Sequence, residues 1–173
     1  MLALNSDYKD MGKRNYTLSI CIVTHNNEKY IKRAIKSALL QGGEESEIVI
    51  INDGSTDRTG EICDCFSCAD YSIKVIHSEW GGLVHGRNTA ILNAGGKYLT
   101  FLDGDDWLDD YMFVDAIDLM DKDESVDIYV FGMKNNWDGG KEEYIINPGK
   151  SRYIPKNERS SVPWVDNNAL IAH

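Results

Sequence analysis

From residue 17 onward the chain alternates between two hydrophobic rhythms. LSICIVT at 18–24 is almost continuously apolar and rich in β-branched residues, which predicts a strand covered on both faces. Over 28–41, Ile31, Ala34, Ile35, Ala38 and Leu39 recur at i, i+3, i+4, i+7 and i+8. That spacing predicts an amphipathic helix, closed by Gly42 and Gly43. The unit then repeats. A strand is predicted at 47–51, a turn at 52–57, and a helix at about 57–68 capped by Ser55 or Thr56. A strand at 73–77, a helix at 83–93 ending at Gly95 and Gly96, and a strand at 97–102 follow. The last clear units are a helix at 109–120, with Met112, Phe113, Ala116, Ile117, Leu119 and Met120 near one face, and a strand at 127–131.

Strands alternating with helices predict an α/β fold: a Rossmann-like, mostly parallel sheet with helices on both faces. Beyond Gly132 the rhythm weakens to two short strands, 144–146 and 151–154, in a segment that holds all three prolines. The expected organisation is an N-terminal arm at 1–16, a core at 17–132 and an incomplete segment at 133–173. Ligands of such sheets bind at the C-terminal ends of the strands, which singles out 24–27, 52–56 and 103–106.

Composition narrows the function classes. With 173 residues and 42% apolar content the chain can bury a sizeable core without staples. A formal charge of −10 argues against a general nucleic-acid binder and against a polybasic membrane anchor. An anionic small ligand stays compatible, because a metal ion or local cations invert the charge inside a site. No apolar run approaches the ~18–20 residues that span a bilayer, and residues 1–14 hold no signal-peptide core. The expectation is a cytoplasmic protein; peripheral association with the inner face of a membrane stays compatible. Cys63, Cys65 and Cys68 crowd together, but no fourth ligand lies nearby in sequence, so they are read with Cys21 as reduced structural thiols rather than a zinc site.

Three segments can carry chemistry. In FLDGDDW at 101–107, Asp103, Asp105 and Asp106 follow a buried strand, with Gly104 permitting a tight turn. Carboxylates this close repel one another, and Mg²⁺ or Mn²⁺ relieves that repulsion. One or two carboxylates suffice when a diphosphate and water complete the shell. The alternative is a solvated Asp-Gly turn. Asp53 in NDGSTD at 52–57 can accept a hydrogen bond from a base edge, or serve only as a turn residue. Arg87, early in the third helix after a glycine-rich turn, is placed where the helix dipole disfavours a cation, which suggests pairing with a carboxylate or a nucleotide. The glycines match neither G-x-G-x-x-G nor a P-loop. His25 ends the first strand, whereas His77 and His85 read as structural.

Together, SICIVTHNN at 19–27, INDGSTD at 51–57, GRNTAI at 86–91 and GKYLTFLDGDD at 96–106 resemble the nucleotide-sugar-binding half of a family 2 glycosyltransferase of the GT-A fold. The resemblance runs from about residue 18 to 132. It implies that Thr24 and Asn26 line the nucleotide pocket, although relatives often have an aromatic where Asn26 stands. It implies that Asp53 accepts the N3–H of uracil or an equivalent edge, and that Arg87 contacts the donor or neighbouring carboxylates. Asp103 and Asp105 would form a D-x-D motif. Asp105 would ligate Mn²⁺ or Mg²⁺ directly, and Asp103 would hold ribose or metal. Asn52 stands where Asp is more usual.

The implied reaction is inverting transfer of a sugar from a nucleotide-diphosphate donor, UDP favoured, to a saccharide or glycolipid acceptor, as in polysaccharide biosynthesis. The base that takes the acceptor proton usually lies downstream in the acceptor half. No base motif follows Gly132; Asp166, in VPWVDNNALI at 162–171, is a nominee without the surrounding pattern. The 173 residues are therefore expected to hold a donor-binding domain and the beginning of an acceptor-binding one. A non-catalytic nucleotide-sugar-binding or partner-binding module is the alternative. A sugar-phosphate nucleotidyltransferase is disfavoured, because residues 24–27 supply no glycine-rich basic loop. Eleven of the 28 acidic residues lie between 103 and 127, with Lys122 the one basic residue there. The acidity thus marks a metal-dependent site followed by a solvated helix face.

Overall fold

In a computed structural model, residues 16–42, 45–123, 126–137, 141–146, 152–155 and 169–172 are described, with side chains for those up to 123 and for 128–132. The elements run β1 Leu18–Thr24, α1 Ile31–Leu39, β2 Ser46–Asp53, α2 Thr59–Ala69, β3 Ile73–Ser78, α3 Gly82–Asn93, β4 Tyr98–Asp103, α4 Val114–Lys122 and β5 Val126–Val130. Then come β6 Met133–Trp137, β7 Lys141–Ile146, β8 Arg152–Pro155 and β9 Ala169–Ala172.

Seven strands form one sheet in the order β3-β2-β1-β4-β9-β5-β8. β1 to β4 pair in parallel. β9 lies antiparallel to both β4 and β5, so β5 points the same way as β1 to β4. The five strands expected from the helix-strand rhythm therefore share one direction, with β9 inserted between the last two. β8 closes the edge antiparallel to β5, while β6 and β7 form a separate ribbon. Strands from beyond Gly132 thus hydrogen bond into the main sheet.

Every residue of β1 and β2 is buried, which explains their unbroken apolar runs. Side chains of a strand alternate between faces. Leu18, Ile20 and Ile22 meet Ile31, Ala34, Ile35 and Ala38 of α1, Cys63 of α2, and Ala116 and Met120 of α4 on one face. Cys21, Val49, Ile51 and Leu99 meet Ala90 of α3 on the other. Close seating of α3 requires Gly86, where a Cβ would fall 2.5 Å from Val23 Cγ1. Burial pushes the Cys21 and Cys63 thiols up to about 12, with neighbouring Glu47 and Asp64 adding to the effect. All four cysteines are free; Cys65 and Cys68 are exposed.

Three helix starts lie two or more residues beyond the sequence expectation, each for a local reason. α1 starts at Ile31 rather than near 28, because Asn27 O accepts the amides of Tyr30 and Ile31 in a preceding turn. α2 is opened by Asp57, whose Oδ1 accepts the Thr59 amide at 2.9 Å and the Thr59 hydroxyl at 2.5 Å. Ser55 and Thr56 are spent elsewhere. α4 starts at Val114 rather than 109. Buried Gln41 holds the intervening loop: its Nε2 donates to Asp109 O at 2.7 Å and its Oε1 accepts the Met112 amide at 3.0 Å. Tyr111, at φ +56°, interrupts any helix there. β6 and β9 have no counterpart among the expected strands.

Candidate functional site

Sheet register builds the site. Val23 pairs with Asp103, Thr24 with Asn52, and Asp53 with Ser78. The C-terminal ends of β4, β1, β2 and β3 therefore stand in a row, one strand spacing apart, about 4.8 Å each. The expected residues Thr24, Asp53 and Asp103 all lie on that edge.

Thr24 is buried beneath the loop after β4, and its hydroxyl has no hydrogen-bond partner among the described residues. A Cβ on Gly104 would run into Thr24 Oγ1 and come within 2.8 Å of Asn27 Nδ2. Gly104 is therefore required for the carboxylate loop to lie flat on the strand ends. The Gly104 amide donates to Val23 O at 3.1 Å, and the Asp106 amide donates to Asp103 O at 3.0 Å, closing a tight turn.

That turn presents three carboxylates. Asp103 is partly exposed and lies 3.7 Å from Arg87 Nη2 of α3, whose guanidinium also covers the Phe101 ring. Asp105 is exposed. Partial burial raises the Asp106 carboxyl above its ordinary value; Asp105 and then Asp103 add to this, and Arg33 opposes it. Arg33, on α1, was not anticipated as a site residue. Its Nη2 donates to Asp105 O at 3.0 Å and its guanidinium stacks 3.7 Å from the Trp107 ring centre. Nothing in the sequence distinguishes Arg33 from a solvated helix residue; only the crossing of α1 over this loop gives it a role.

Among the described residues, no group of three His, Cys, Asp or Glu side chains forms a closed metal cage. The donor set is instead a partial shell. It is made of hard carboxylate oxygens, mutually repelling and open to solvent. Such a shell fits Mg²⁺ or Mn²⁺ held by one or two carboxylates with substrate phosphate oxygens completing the octahedron.

Asp53 is almost wholly buried. Its Oδ1 accepts the Gly81 amide at 2.9 Å and the Ser78 hydroxyl at 3.3 Å, and its Oδ2 accepts the Gly82 amide at 2.7 Å. The carboxylate thus satisfies the first amides of α3, where the helix dipole favours a negative charge. Of about four lone-pair positions, three are taken, which leaves one on Oδ2 for a further donor. His85 Nδ1 stands 3.9 Å away.

Asn26 is committed to joining two loops. Its backbone is left-handed at φ +53°. Its Oδ1 accepts the amides of Thr56 at 2.8 Å and Asp57 at 3.3 Å, while its own amide donates to Ser55 Oγ at 3.0 Å. His25 Nδ1 donates to Asp53 O at 2.7 Å, and its Nε2 accepts from Asn26 Nδ2 at 3.1 Å. Trp80, largely exposed, flanks His25 with ring centres 6.5 Å apart. His77 bridges Asn52 and Asp64 at 2.9 Å each. Asp166 lies outside the described residues.

A glycosyl transferase family 2 model matches residues 19–169. Glycosyltransferase GlyA of Streptococcus pneumoniae is 42% identical over 96 residues, covering 55% of this chain and 14% of that protein. S. aureus TarS 1-349, solved in complex with UDP-GlcNAc, superposes with a TM-score of 0.64 at 29% identity. The match covers 72% of this chain and 36% of that one. The mannosyltransferase PcManGT from Pyrobaculum calidifontis, solved with GDP-Man and Mn²⁺, shares the fold at a TM-score of 0.61 and 20% identity, over 70% of this chain. The chain thus spans well under half the length of these relatives.

Proposed function

The chain belongs to glycosyl transferase family 2, and on that ground we propose that it binds a nucleotide-diphosphate sugar along the ends of β1, β2 and β4 and transfers the sugar to a hydroxyl acceptor. A UDP-linked donor is favoured: TarS, similar over 72% of this chain, was solved with UDP-GlcNAc. The observation that carries the reading is the carboxylate loop set flat on the strand ends by the Gly104–Thr24 contact, with Arg87 beside Asp103.

Each residue then has a task. Asp105, exposed at the tip of the turn, and Asp103, behind it, would hold Mn²⁺ or Mg²⁺. A bound divalent cation supplies charge neutralisation on the leaving diphosphate. Arg87 keeps Asp103 oriented. The free lone pair of Asp53 Oδ2 accepts a base N–H, while its other oxygen stays on α3. Asn26 contributes by fixing the loops at 25–27 and 55–57 to one another, so that the pocket wall is rigid before the donor arrives. Arg33 holds the Asp105 backbone from the opposite side. Attack of the acceptor hydroxyl in line with the leaving diphosphate would invert the anomeric centre. The base for that hydroxyl belongs to the acceptor side. Release of free sugar and UDP from a panel of UDP-sugars, with Mn²⁺ present, tests the enzymatic part. Turnover supports it, and tight donor binding with no turnover or transfer contradicts it.

A further inference from the structure

A shallow, open depression lies beside the carboxylate loop. It is a groove of about 450 Å³ between α1 and residues 107–110. One wall carries four cations: Lys29 from the turn before α1, and Lys32, Arg33 and Lys36 from α1. Trp107 forms the opposite wall, and Asp110 is the carboxylate that lines it. Lys32 and Lys36 follow one another at i, i+4 on α1, so their charges share one helix face, and Lys29 joins them from the turn before it.

Among the described residues Lys29, Lys32 and Lys36 form no ion pair, while Arg33 faces the Asp106 carboxyl. The ion pairs among the described residues involve Arg58, His77, His85, Arg87, Lys97 and Lys122. In a chain of net charge −10, clustered cations beside an aromatic wall create a local positive potential that an anion senses at close range. The groove also ends at the transfer site, because Arg33 both lines it and donates to Asp105 O.

We propose that this groove binds the phosphate groups of a phosphate-bearing acceptor and so leads its hydroxyl toward the Asp105 loop. The assignment rests on the glycosyltransferase reading for the word acceptor; anion binding itself does not. Charge complementarity selects phosphate, which accepts hydrogen bonds from ammonium and guanidinium groups together. The continuity through Arg33 with the Asp105 loop selects an acceptor whose hydroxyl must reach that loop over a bilayer surface.

The test titrates the full chain with short linear polyphosphate in EDTA at low salt, following binding by calorimetry. Lys32→Glu with Lys36→Glu is compared with Lys74→Glu with Lys122→Glu, which changes the net charge equally away from the groove. The expected result is saturable binding that weakens with salt, falls roughly tenfold or more in the groove variant, and changes little in the control. The UDP–Mn²⁺ thermal shift should be the same in wild type and groove variant. Equal losses in both variants, or no binding by the wild type, overturn the proposal. So does binding of phosphatidylglycerol vesicles, lost in the groove variant, without polyphosphate binding. If polyphosphate binds as expected but UDP with Mn²⁺ gives no shift, the donor reading fails while the anion groove stands.

Discussion

Arg87 Nη2 stands 3.7 Å from Asp103 Oδ1, so a cation from α3 meets the carboxylate that ends β4. Both side chains are partly exposed, at 26% and 34%, which makes this pair an organiser of the site more than a source of stability. Replacing Arg87 by Met should therefore lower UDP–Mn²⁺ affinity by roughly tenfold, the scale of one lost charge contact, while changing unfolding free energy by under about 1 kcal/mol. Calorimetric titration and urea denaturation read the two effects separately. Unchanged affinity would remove Arg87 from the donor site.

Asn26 combines a left-handed backbone with a side chain that caps the neighbouring loop. Asn26→Gly keeps the backbone but loses the Thr56 and Asp57 contacts. Asn26→Ala loses the contacts and strains the backbone as well. Asn26→Gly should cost about 1 kcal/mol and Asn26→Ala about 1 kcal/mol more. Denaturant midpoints of the two variants check the order, and equal stability would contradict the loop-tie assignment.

Asp53 closes the start of α3. Asp53→Ala leaves the Gly81 and Gly82 amides without their acceptor, at a cost of about 1–2 kcal/mol. Asp53→Asn retains one acceptor oxygen and should lose less. Hydrogen exchange at the Gly81 and Gly82 amides should accelerate in Asp53→Ala, and slow exchange there would contradict the cap.

Asp106 has a carboxyl raised by partial burial and by Asp105 and Asp103. The folded state therefore holds its proton more tightly than the unfolded state. Its contribution to stability falls as pH rises from the ordinary carboxylate value through the raised one. Asp106→Asn should accordingly stabilise the chain at neutral pH by a few tenths of a kcal/mol, because solvent screens a half-exposed group. The gain should vanish below the ordinary carboxylate range and shrink in high salt. A gain that persists in acid would contradict the repulsion.

The sheet and its edge were legible because burial writes a continuous signal. β1 matches its expected span from Leu18 to Thr24, and the strand-end rule placed Thr24, Asp53 and Asp103 before any geometry was known. Loop anchoring was not legible. Asp57 rather than Ser55 or Thr56 opens α2, because Asn26 claims the 55–57 loop from 30 residues away. Gln41 delays α4 by holding 109–112, again a contact between distant segments. β9 inserts between β4 and β5 through only three or fewer paired residues on each side, too short for a periodic signal. Arg33 acquires its place only when α1 crosses the carboxylate loop.

The most direct test of the donor site is the melting temperature of the full chain with UDP, with and without Mn²⁺, for wild type and Asp105→Asn. Ligand at 100 times its dissociation constant adds about 2.7 kcal/mol, a shift readily measured. Stabilisation by UDP that is larger with Mn²⁺, and loss of the Mn²⁺-dependent part in Asp105→Asn, is the predicted result. No stabilisation by UDP with or without the metal would contradict it.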